Sequence, residues 1–272
     1  MESRLTLPVY AEIEITERPV TPECLGLLSD EQLTRAARFT KPLRRNQHIW
    51  ARVLIRLLAE KLYPDIPRHS IQIVEDPPRA PRIVLPDGVL RTSITHSGNR
   101  VACLVDSEIC AADLEKIDLS RPLLRYADVA FNHETAARVK AEPDIGTAFF
   151  RAWGAYECAV KADCPREFYW EDHEPRIRGM VVSTDLTDGW MRVTALSRKA
   201  PVALWRPEPE MLETLAASGR QSVLLLLHLP QRLAVLFRLA LEIPKNKAPG
   251  GSLRAIENQD DKPGDTAIPE SP

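Results

Sequence analysis

The sequence predicts an α+β protein built from two halves of similar plan, which join near residue 108. Each half consists of a strand, then helices, then further strands, and no short-period repeat is present. The 272 residues are enough for one large domain or two modest ones, each with its own core. Hydrophobic residues make up 44% of the chain and charged residues 27%, which is typical of a soluble globular protein.

The elements of the first half follow from local patterns. Residues 6–15 alternate well enough to predict a strand. Ser29 and Gln32 have the spacing of a capping box and predict a short helix. A longer helix is predicted at 44–63, where apolar residues recur at helical spacing. Four short strands are predicted next, at 70–75, 82–85, 91–95 and 100–106.

The second half repeats this order. A strand is predicted at 110–115, followed by a helix capped near Asn132 and a long helix from about Ile145 to Ala162. Further strands are predicted at 176–183, 189–196, 220–229 and 232–242.

These elements divide the chain into three parts. Residues 1–108 form a predicted N-terminal subdomain, and residues 109–242 form a predicted C-terminal subdomain that carries the candidate site. Beyond residue 242 the composition changes to proline, glycine and charged residues, with almost no apolar cluster. Residues 243–272 are therefore predicted to be a disordered tail.

Composition excludes several classes of function. The formal net charge of −2 gives no overall basic field, so we expect neither nucleic acid nor a membrane surface as partner. The most apolar stretch, 223–241, is interrupted by polar and charged residues, which argues against a membrane span. Five cysteines without a C-x-x-C pair argue against a disulfide framework, and the N-terminus lacks a secretory leader pattern. A cytoplasmic protein is expected.

A pair of acids lies on the predicted strand at 110–115. Asp113 and Glu115 are two residues apart, so both side chains leave the same face of the strand. Neighbouring acids repel each other unless a positive charge lies between them, and magnesium favours such oxygen ligands together with substrate phosphates. The alternative is a solvated pair at a strand end, accompanied by Lys116.

The long helix of the second half carries a second candidate group. Trp153, Glu157 and Lys161 are spaced four residues apart and therefore share one stripe of the helix. Glu157 can complete a three-carboxylate metal site or act as a general base, and Lys161 can neutralise a phosphate. The alternative is a structural ion pair, which has the same spacing.

Together these motifs resemble those of the surfactin-type 4′-phosphopantetheinyl transferases. The D-x-E strand is followed about forty residues later by W-x-x-x-E-x-x-x-K on a helix. SITHSG at 93–98 is similar to the family's strand ending in S-H-S, and FNHETA at 131–136 to its F-S-x-x-E element. The arginine-bearing helix at 44–63 also resembles a helix of the family. The resemblance covers roughly residues 5–242, with the motifs in the same order.

The resemblance implies a fold and an activity. Two α/β subdomains would be related by a pseudo-twofold axis, with the active site in the cleft between them. The enzyme would transfer 4′-phosphopantetheine from coenzyme A to a serine of an apo acyl or peptidyl carrier protein, in a magnesium-dependent reaction. It would be a monomer by family analogy.

The resemblance also assigns roles to residues. Asp113 and Glu157 would bind the magnesium ion, with Glu115 as a direct or water-mediated ligand. Glu157 would also be the general base for the carrier serine. Lys161 would stabilise or protonate the departing 3′,5′-ADP, and His96 would hydrogen-bond a phosphate of coenzyme A.

Arginines are the candidates for the remaining phosphate contacts, because the guanidinium fork matches phosphate oxygens. Arg45, Arg52 and Arg56 lie near one stripe of the helix at 44–63, with Arg44 beside it, and a solvated basic face is the alternative. Arg79 stands, with Ala80 and Pro81, where the family has a G-K-P element that meets the nucleotide.

Further departures from the family pattern leave two other hypotheses open. The family's glycine before the strand acid is Ala111, its lysine before the helix glutamate is Tyr156, and its glycine-rich turn after the helix is absent. The chain is therefore either a divergent active transferase or a degenerate relative that binds coenzyme A or a carrier-like protein without turnover. The third hypothesis is a structural α+β protein whose acids are surface residues.

Overall fold

The computed structural model of the chain describes residues 5–77 and 79–226, with side chains as far as residue 217. This part of the chain mixes helices and strands, so the predicted α+β class is confirmed. The elements, in chain order, are β1 (Val9–Glu14), α1 (Pro22–Leu25), α2 (Asp30–Ala37), α3 (Pro42–Leu62), β2 (Gln72–Val74), β3 (Arg82–Leu85), β4 (Gly88–Ser97), β5 (Arg100–Asp106), β6 (Cys110–Lys116), α4 (Leu123–Ala130), α5 (His133–Lys140), α6 (Ile145–Lys161), β7 (Phe168–Glu171), β8 (Glu174–Ile177), β9 (Val181–Thr187), β10 (Trp190–Leu196), β11 (Ala203–Trp205) and α7 (Pro209–Leu226).

The strands form three sheets. The largest has six strands in the order β11-β1-β5-β4-β3-β2, and all its neighbouring pairs are antiparallel except β1 with β11. The second sheet has the antiparallel order β6-β10-β9, so β6 is one of its outer strands. The third is the antiparallel pair β7-β8.

Helix α3 packs against the six-stranded sheet and forms the centre of the first core. It begins with Pro42, two residues before the predicted start, because proline is well tolerated in the first turn, where its missing N–H has no helical partner anyway. Its apolar stripe is almost fully buried, as the predicted periodicity requires, and includes Trp50, Val53, Leu54, Leu57 and Leu58.

Helix α6 plays the corresponding part against β6 and β10. Asp144 caps its N-terminus by accepting a hydrogen bond from the Thr147 amide (3.0 Å). Asn132 caps α5 in the same way through the Thr135 amide (2.8 Å), which confirms the predicted cap. Gly154 lets α6 approach β10 closely, since a Cβ atom there would lie 2.5 Å from Val193 Cγ2.

The two larger sheets meet across a small apolar cluster and one buried ion pair. Tyr10 and Leu104 from the first sheet pack with Leu114 and Trp190 from the second. Beside them Arg192 of β10 donates two hydrogen bonds to Glu12 of β1, at 2.5 and 2.9 Å. Both side chains are buried, and the forked geometry satisfies both carboxylate oxygens.

The C-terminal described segment returns to the first core, although it lies within the predicted second subdomain. Strand β11 pairs with β1, and Trp205, Leu212 and Leu215 pack into the cluster around α3. The prediction of a strand at 220–229 is wrong for residues 220–226, which continue α7. A short apolar run is compatible with either state, and here the preceding helix extends through it. Residues 227–229, the predicted strand at 232–242 and the tail at 243–272 lie outside the described residues.

One predicted strand, the cysteines and the helix lengths can each be compared with the structure. The strand predicted at 176–183 is divided in two, because β8 ends at Ile177 and a turn with Gly179 at φ +78° precedes β9. All five cysteines are free thiols, as expected from the absence of a C-x-x-C pair. None of the helices in the described part of the chain has the length and apolar character needed to cross a membrane.

The contact at Gly154 gives a stability prediction. Gly154→Ala gains about 1 kcal/mol of helix propensity, but overpacking against Val193 costs about 1–3 kcal/mol, so we expect a net destabilisation. Urea unfolding measures the difference. Val193→Ala in the same chain should recover part of the loss, and Gly88→Ala, where no atom lies within 4 Å, is the control without a clash. A Gly154→Ala protein more stable than the wild type would contradict the close approach.

Candidate functional site

Three hydroxyl side chains of β4 lie along the outer edge of β6. Ser93 Oγ accepts a hydrogen bond from the Ala112 amide (3.0 Å), Thr95 Oγ1 from the Leu114 amide (3.0 Å) and Ser97 Oγ from the Lys116 amide (3.2 Å). Because successive residues of a strand alternate in direction, the hydroxyls at 93, 95 and 97 share one face of β4. We call these three residues the hydroxyl row. It joins the two larger sheets at the position of the D-x-E motif.

Asp113 is the centre of the site. Its side chain is buried, and its Oδ1 atom accepts hydrogen bonds from Lys161 Nζ (2.7 Å) and Thr95 Oγ1 (3.1 Å). Lys161 also donates to the Ala112 carbonyl (2.9 Å), so its ammonium group binds both the strand and the acid. Asp113 Oδ2 is buried and has no hydrogen-bond partner among the described residues.

Glu115 lies on the same face of β6, as predicted. Ser97 Oγ donates to Glu115 Oε2 (3.0 Å), and Arg121 Nη1 lies 3.9 Å from the same oxygen. Burial and the neighbouring charge of Asp113 raise the pKa of Glu115 to about 7, although Ser97, Arg121 and Lys161 act in the opposite direction. A substantial fraction of Glu115 is therefore protonated near neutral pH.

Glu157 and Lys161 lie on the face of α6 that is directed towards β6. Glu157 is buried, and its pKa is raised by burial and by the charge of Asp113. Burial opposes the charge of Lys161, but Asp113, Cys158 and Glu157 together raise its pKa above the ordinary value. Lys161 is therefore charged at neutral pH, and its ion-pair partner is Asp113 of β6 rather than Glu157, one turn earlier on α6.

His96 is on the opposite face of β4 from the hydroxyl row and contacts Arg44 of α3. Arg44 Nη1 lies 2.9 Å from His96 Nδ1 and also contacts Nε2. Burial, then Arg44 and Lys161, lower the pKa of His96 to about 3. The imidazole is therefore neutral at physiological pH, and the positive charge at this position belongs to Arg44.

The other arginines predicted to bind the cofactor contact different parts of the chain. Arg52 makes a two-pronged ion pair with Glu75 (2.9 and 3.0 Å), and Arg56 donates to the Ile71 carbonyl. Arg45 donates to the Phe39 carbonyl (3.0 Å), and the exposed Arg79 pairs with Asp76 (2.9 Å). The structure thus gathers Asp113, Glu115, Glu157 and Lys161. His96, on the other face of β4, is influenced by the charges of both Lys161 and Arg52. No described contact brings Arg45, Arg52, Arg56 or Arg79 to the acids.

Two departures from the family pattern have structural explanations. Tyr156 packs edge-on against Phe131 and Phe168, so the position where the family has a lysine belongs to an aromatic cluster. Ala111 is fully buried in the same core. By strand alternation, Ala111 lies on the same face of β6 as Asp113 and Glu115, where it packs into the core around α6.

A depression of about 330 Å³ lies at the C-terminal end of β6, next to Glu115. Its lining combines the turn after β4 with the loop after β6, and consists of Ser97, Gly98, Lys116, Ile117, Asp118 and Arg121. Gly98 adopts φ +50° there, and its carbonyl accepts a hydrogen bond from Gln47 Nε2 (2.8 Å). The volume is at the lower end of the range for small-molecule sites, about 300–1,000 Å³.

The residues present fit a divalent cation in their chemistry. In the described part of the chain, no three His, Cys, Asp or Glu side chains already form a metal cage. Magnesium, however, commonly uses only one or two carboxylates together with phosphates and water. Asp113 Oδ2 is buried and has no hydrogen-bond partner among the described residues. Burial and repulsion from Asp113 raise the pKa of both Glu115 and Glu157. A divalent cation would bind the free oxygen and reduce this repulsion.

Sequence reasoning missed the residues that hold the acids. In the sequence, Thr95 and Ser97 belong to the S-H-S-like segment, and no motif includes Arg121. The signal for the first two was available, since Ser93, Thr95 and Ser97 alternate with a period of two on a predicted strand. Their partner strand could not be inferred, because it belongs to another sheet.

No protein-family model matches the chain, and a search of the curated proteins finds no significant match.

The raised pKa of Glu115 gives a prediction of pH dependence. The folded protein binds this proton more tightly than the unfolded chain, so its contribution to stability is lost as the pH rises from 4.5 to about 7. Over that interval the wild type should lose about 3 kcal/mol that Glu115→Gln does not lose. Urea unfolding of both proteins at a pH below 4.5 and at a pH above 7 measures the difference. If the free energy of unfolding of the two proteins changed with pH in parallel, the prediction would be contradicted.

Proposed function

We propose that the chain is a magnesium-dependent 4′-phosphopantetheinyl transferase. It would transfer phosphopantetheine from coenzyme A to a serine of an apo acyl or peptidyl carrier protein. The finer features of the fold belong to the same proposal: two subdomains related by a pseudo-twofold axis, the site between them, and a cytoplasmic monomer. The carrier's pathway is left open.

The observation that best supports the proposal is that Asp113 lies within electrostatic reach of both Glu115 and Glu157, and that all three acids interact with Lys161. Asp113 contacts Lys161 directly, and its charge raises the pKa of both Glu115 and Glu157. A surface ion pair gains only about 0–1 kcal/mol and does not require such crowding. Acids that are held together against repulsion are more common in functional sites than on ordinary surfaces. This favours an active site over the hypothesis of surface acids.

The side chains match the requirements of phosphoryl-type transfer, in which positioning and charge neutralisation dominate. Asp113 and Glu157 would hold the magnesium ion, with Glu115 as a direct or water-mediated ligand, and the ion would supply charge that offsets the pyrophosphate of coenzyme A. Glu157 is buried and has a raised pKa, which makes it a better base than an exposed glutamate.

The chain's own residues then account for each proton and charge. Glu157 would take the proton of the carrier serine hydroxyl as the serine oxygen bonds to the β-phosphorus of coenzyme A. The bond from that phosphorus to 3′,5′-ADP breaks, and Lys161 would offset the charge on the departing phosphate. Neutral His96 would hydrogen-bond a phosphate of coenzyme A, and the adjacent Arg44 supplies the positive charge at this position.

The decisive experiment is transfer to a carrier protein. Purified protein, coenzyme A and Mg²⁺ should add the mass of phosphopantetheine to an apo carrier, observed by mass spectrometry. Glu157→Gln should lower kcat/KM by about 10²–10⁴-fold through loss of the base, and Asp113→Asn should abolish labelling through loss of the metal ligand. Glu171→Gln, which removes an exposed acid from β7, is the charge-matched control and should label like the wild type.

Other outcomes separate the alternatives. No mass shift with any of several acyl and peptidyl carriers at high enzyme concentration would overturn the transferase proposal. If coenzyme A still raises the melting temperature under those conditions, the chain is a binding relative without turnover. Full activity in both site variants would contradict the assignment of Asp113 and Glu157.

A further inference from the structure

We propose that Thr95 and Ser97 are positioning residues that fix which oxygen of Asp113 and of Glu115 faces a bound cation. This inference rests on the proposed function, which supplies the reason for a cation at this site. It assigns to two hydroxyls a role that the predicted ligand set does not include.

The direction of each hydroxyl proton is determined by the contacts of the hydroxyl row. A hydroxyl has one proton and accepts with its lone pairs. Thr95 Oγ1 accepts the Leu114 amide proton at 3.0 Å, so its own proton is directed to Asp113 Oδ1 at 3.1 Å. Ser97 Oγ accepts the Lys116 amide proton at 3.2 Å, so its proton is directed to Glu115 Oε2 at 3.0 Å. Both hydroxyls are therefore donors towards carboxylates.

These donors select one oxygen of each acid. Thr95 and Lys161 both bind Asp113 Oδ1, which leaves Oδ2 buried without a partner among the described residues. Ser97 and Arg121 both approach Glu115 Oε2, and no described residue donates a hydrogen bond to Oε1. An acid held by one oxygen presents the other to a ligand in a fixed orientation, as partners of metal-binding carboxylates usually do.

Ser93 provides an internal comparison. It accepts the Ala112 amide proton at 3.0 Å, as its two neighbours in the hydroxyl row accept theirs, but its own hydroxyl lies 3.5 Å from the Ala112 carbonyl and contacts no carboxylate. If the hydroxyl row only satisfies the backbone of β6, the three residues are equivalent. If Thr95 and Ser97 also orient the acids, only those two affect a bound cation.

The experiment measures Mn²⁺ binding, as a probe for Mg²⁺, by electron paramagnetic resonance titration of the full chain. Thr95→Val and Ser97→Ala should weaken Mn²⁺ affinity by about 10-fold or more, the usual effect of losing a partner of a metal ligand. Thr95→Ser keeps the hydroxyl and should retain wild-type affinity. Ser93→Ala should also retain it, although it loses a backbone acceptor and melts at a lower temperature.

Activity assays add a second readout. In the carrier-labelling reaction, Thr95→Val and Ser97→Ala should raise the KM for Mg²⁺ more than they lower kcat at saturating Mg²⁺, whereas Ser93→Ala should change neither. If Thr95→Val does not fold, Ser97→Ala at the half-buried end of the hydroxyl row decides the question alone.

The outcomes are distinguishable from those of the proposed function. The positioning role is overturned if the wild type binds no Mn²⁺, or if Thr95→Val and Ser97→Ala bind it as tightly as Ser93→Ala. A wild type that binds Mn²⁺ with the expected pattern but labels no carrier would overturn the transferase proposal and support the positioning role.

Discussion

The contact between the hydroxyl row of β4 and the outer edge of β6 is the constraint on which the rest of the site depends. As an outer strand, β6 would otherwise bury the amides of Ala112 and Leu114 without acceptors, and each such loss costs about 1–3 kcal/mol. Side chains replace the missing neighbouring strand, and because they alternate with the pleat they exclude a slip by one residue. That register places Asp113 and Glu115 beside β4 and beneath α6, where Glu157 and Lys161 are directed.

Charge balance is the second constraint, and it follows from the first. Once Asp113 is buried beneath α6, losing Lys161 would leave an uncompensated buried charge, which costs far more than an exposed ion pair gains. The same carboxylate raises the pKa of Glu115 and of Glu157, and Lys161 with the more distant Arg121 provides two positive charges for three acids. The site therefore retains an excess of negative charge that a proton or a cation can relieve. An arrangement serving stability alone would need only the Asp113–Lys161 pair.

Two kinds of feature could be predicted from the sequence: elements with a periodic pattern of apolar residues, and pairs of acids that are close together in the chain. Helices α3 and α6 were predicted because their apolar stripes are long, and Asp113 and Glu115 share a face because strand residues alternate. The sequence did not predict α4 and β7, because segments of eight and four residues show too little periodicity, or β11, because its partner β1 is distant in sequence. The roles of Thr95 and Ser97 were missed for the same reason as β11, since they depend on contacts between two sheets.

The arginines of α3 share a helical stripe in sequence, but tertiary contacts direct their charges to different partners. Arg52 is bound through two hydrogen bonds to the largely buried Glu75, so moving its guanidinium to a ligand would leave that carboxylate without its main partner. Hydrogen bonds to charged groups are worth about 1.5–3 kcal/mol each, which a phosphate contact would first have to replace. No comparable ion pair with the first core is described for Lys116 or Arg121, and Lys161 already lies at the site, bound to Asp113. A phosphate ligand would therefore be met mainly from β6, α6 and the loop after β6.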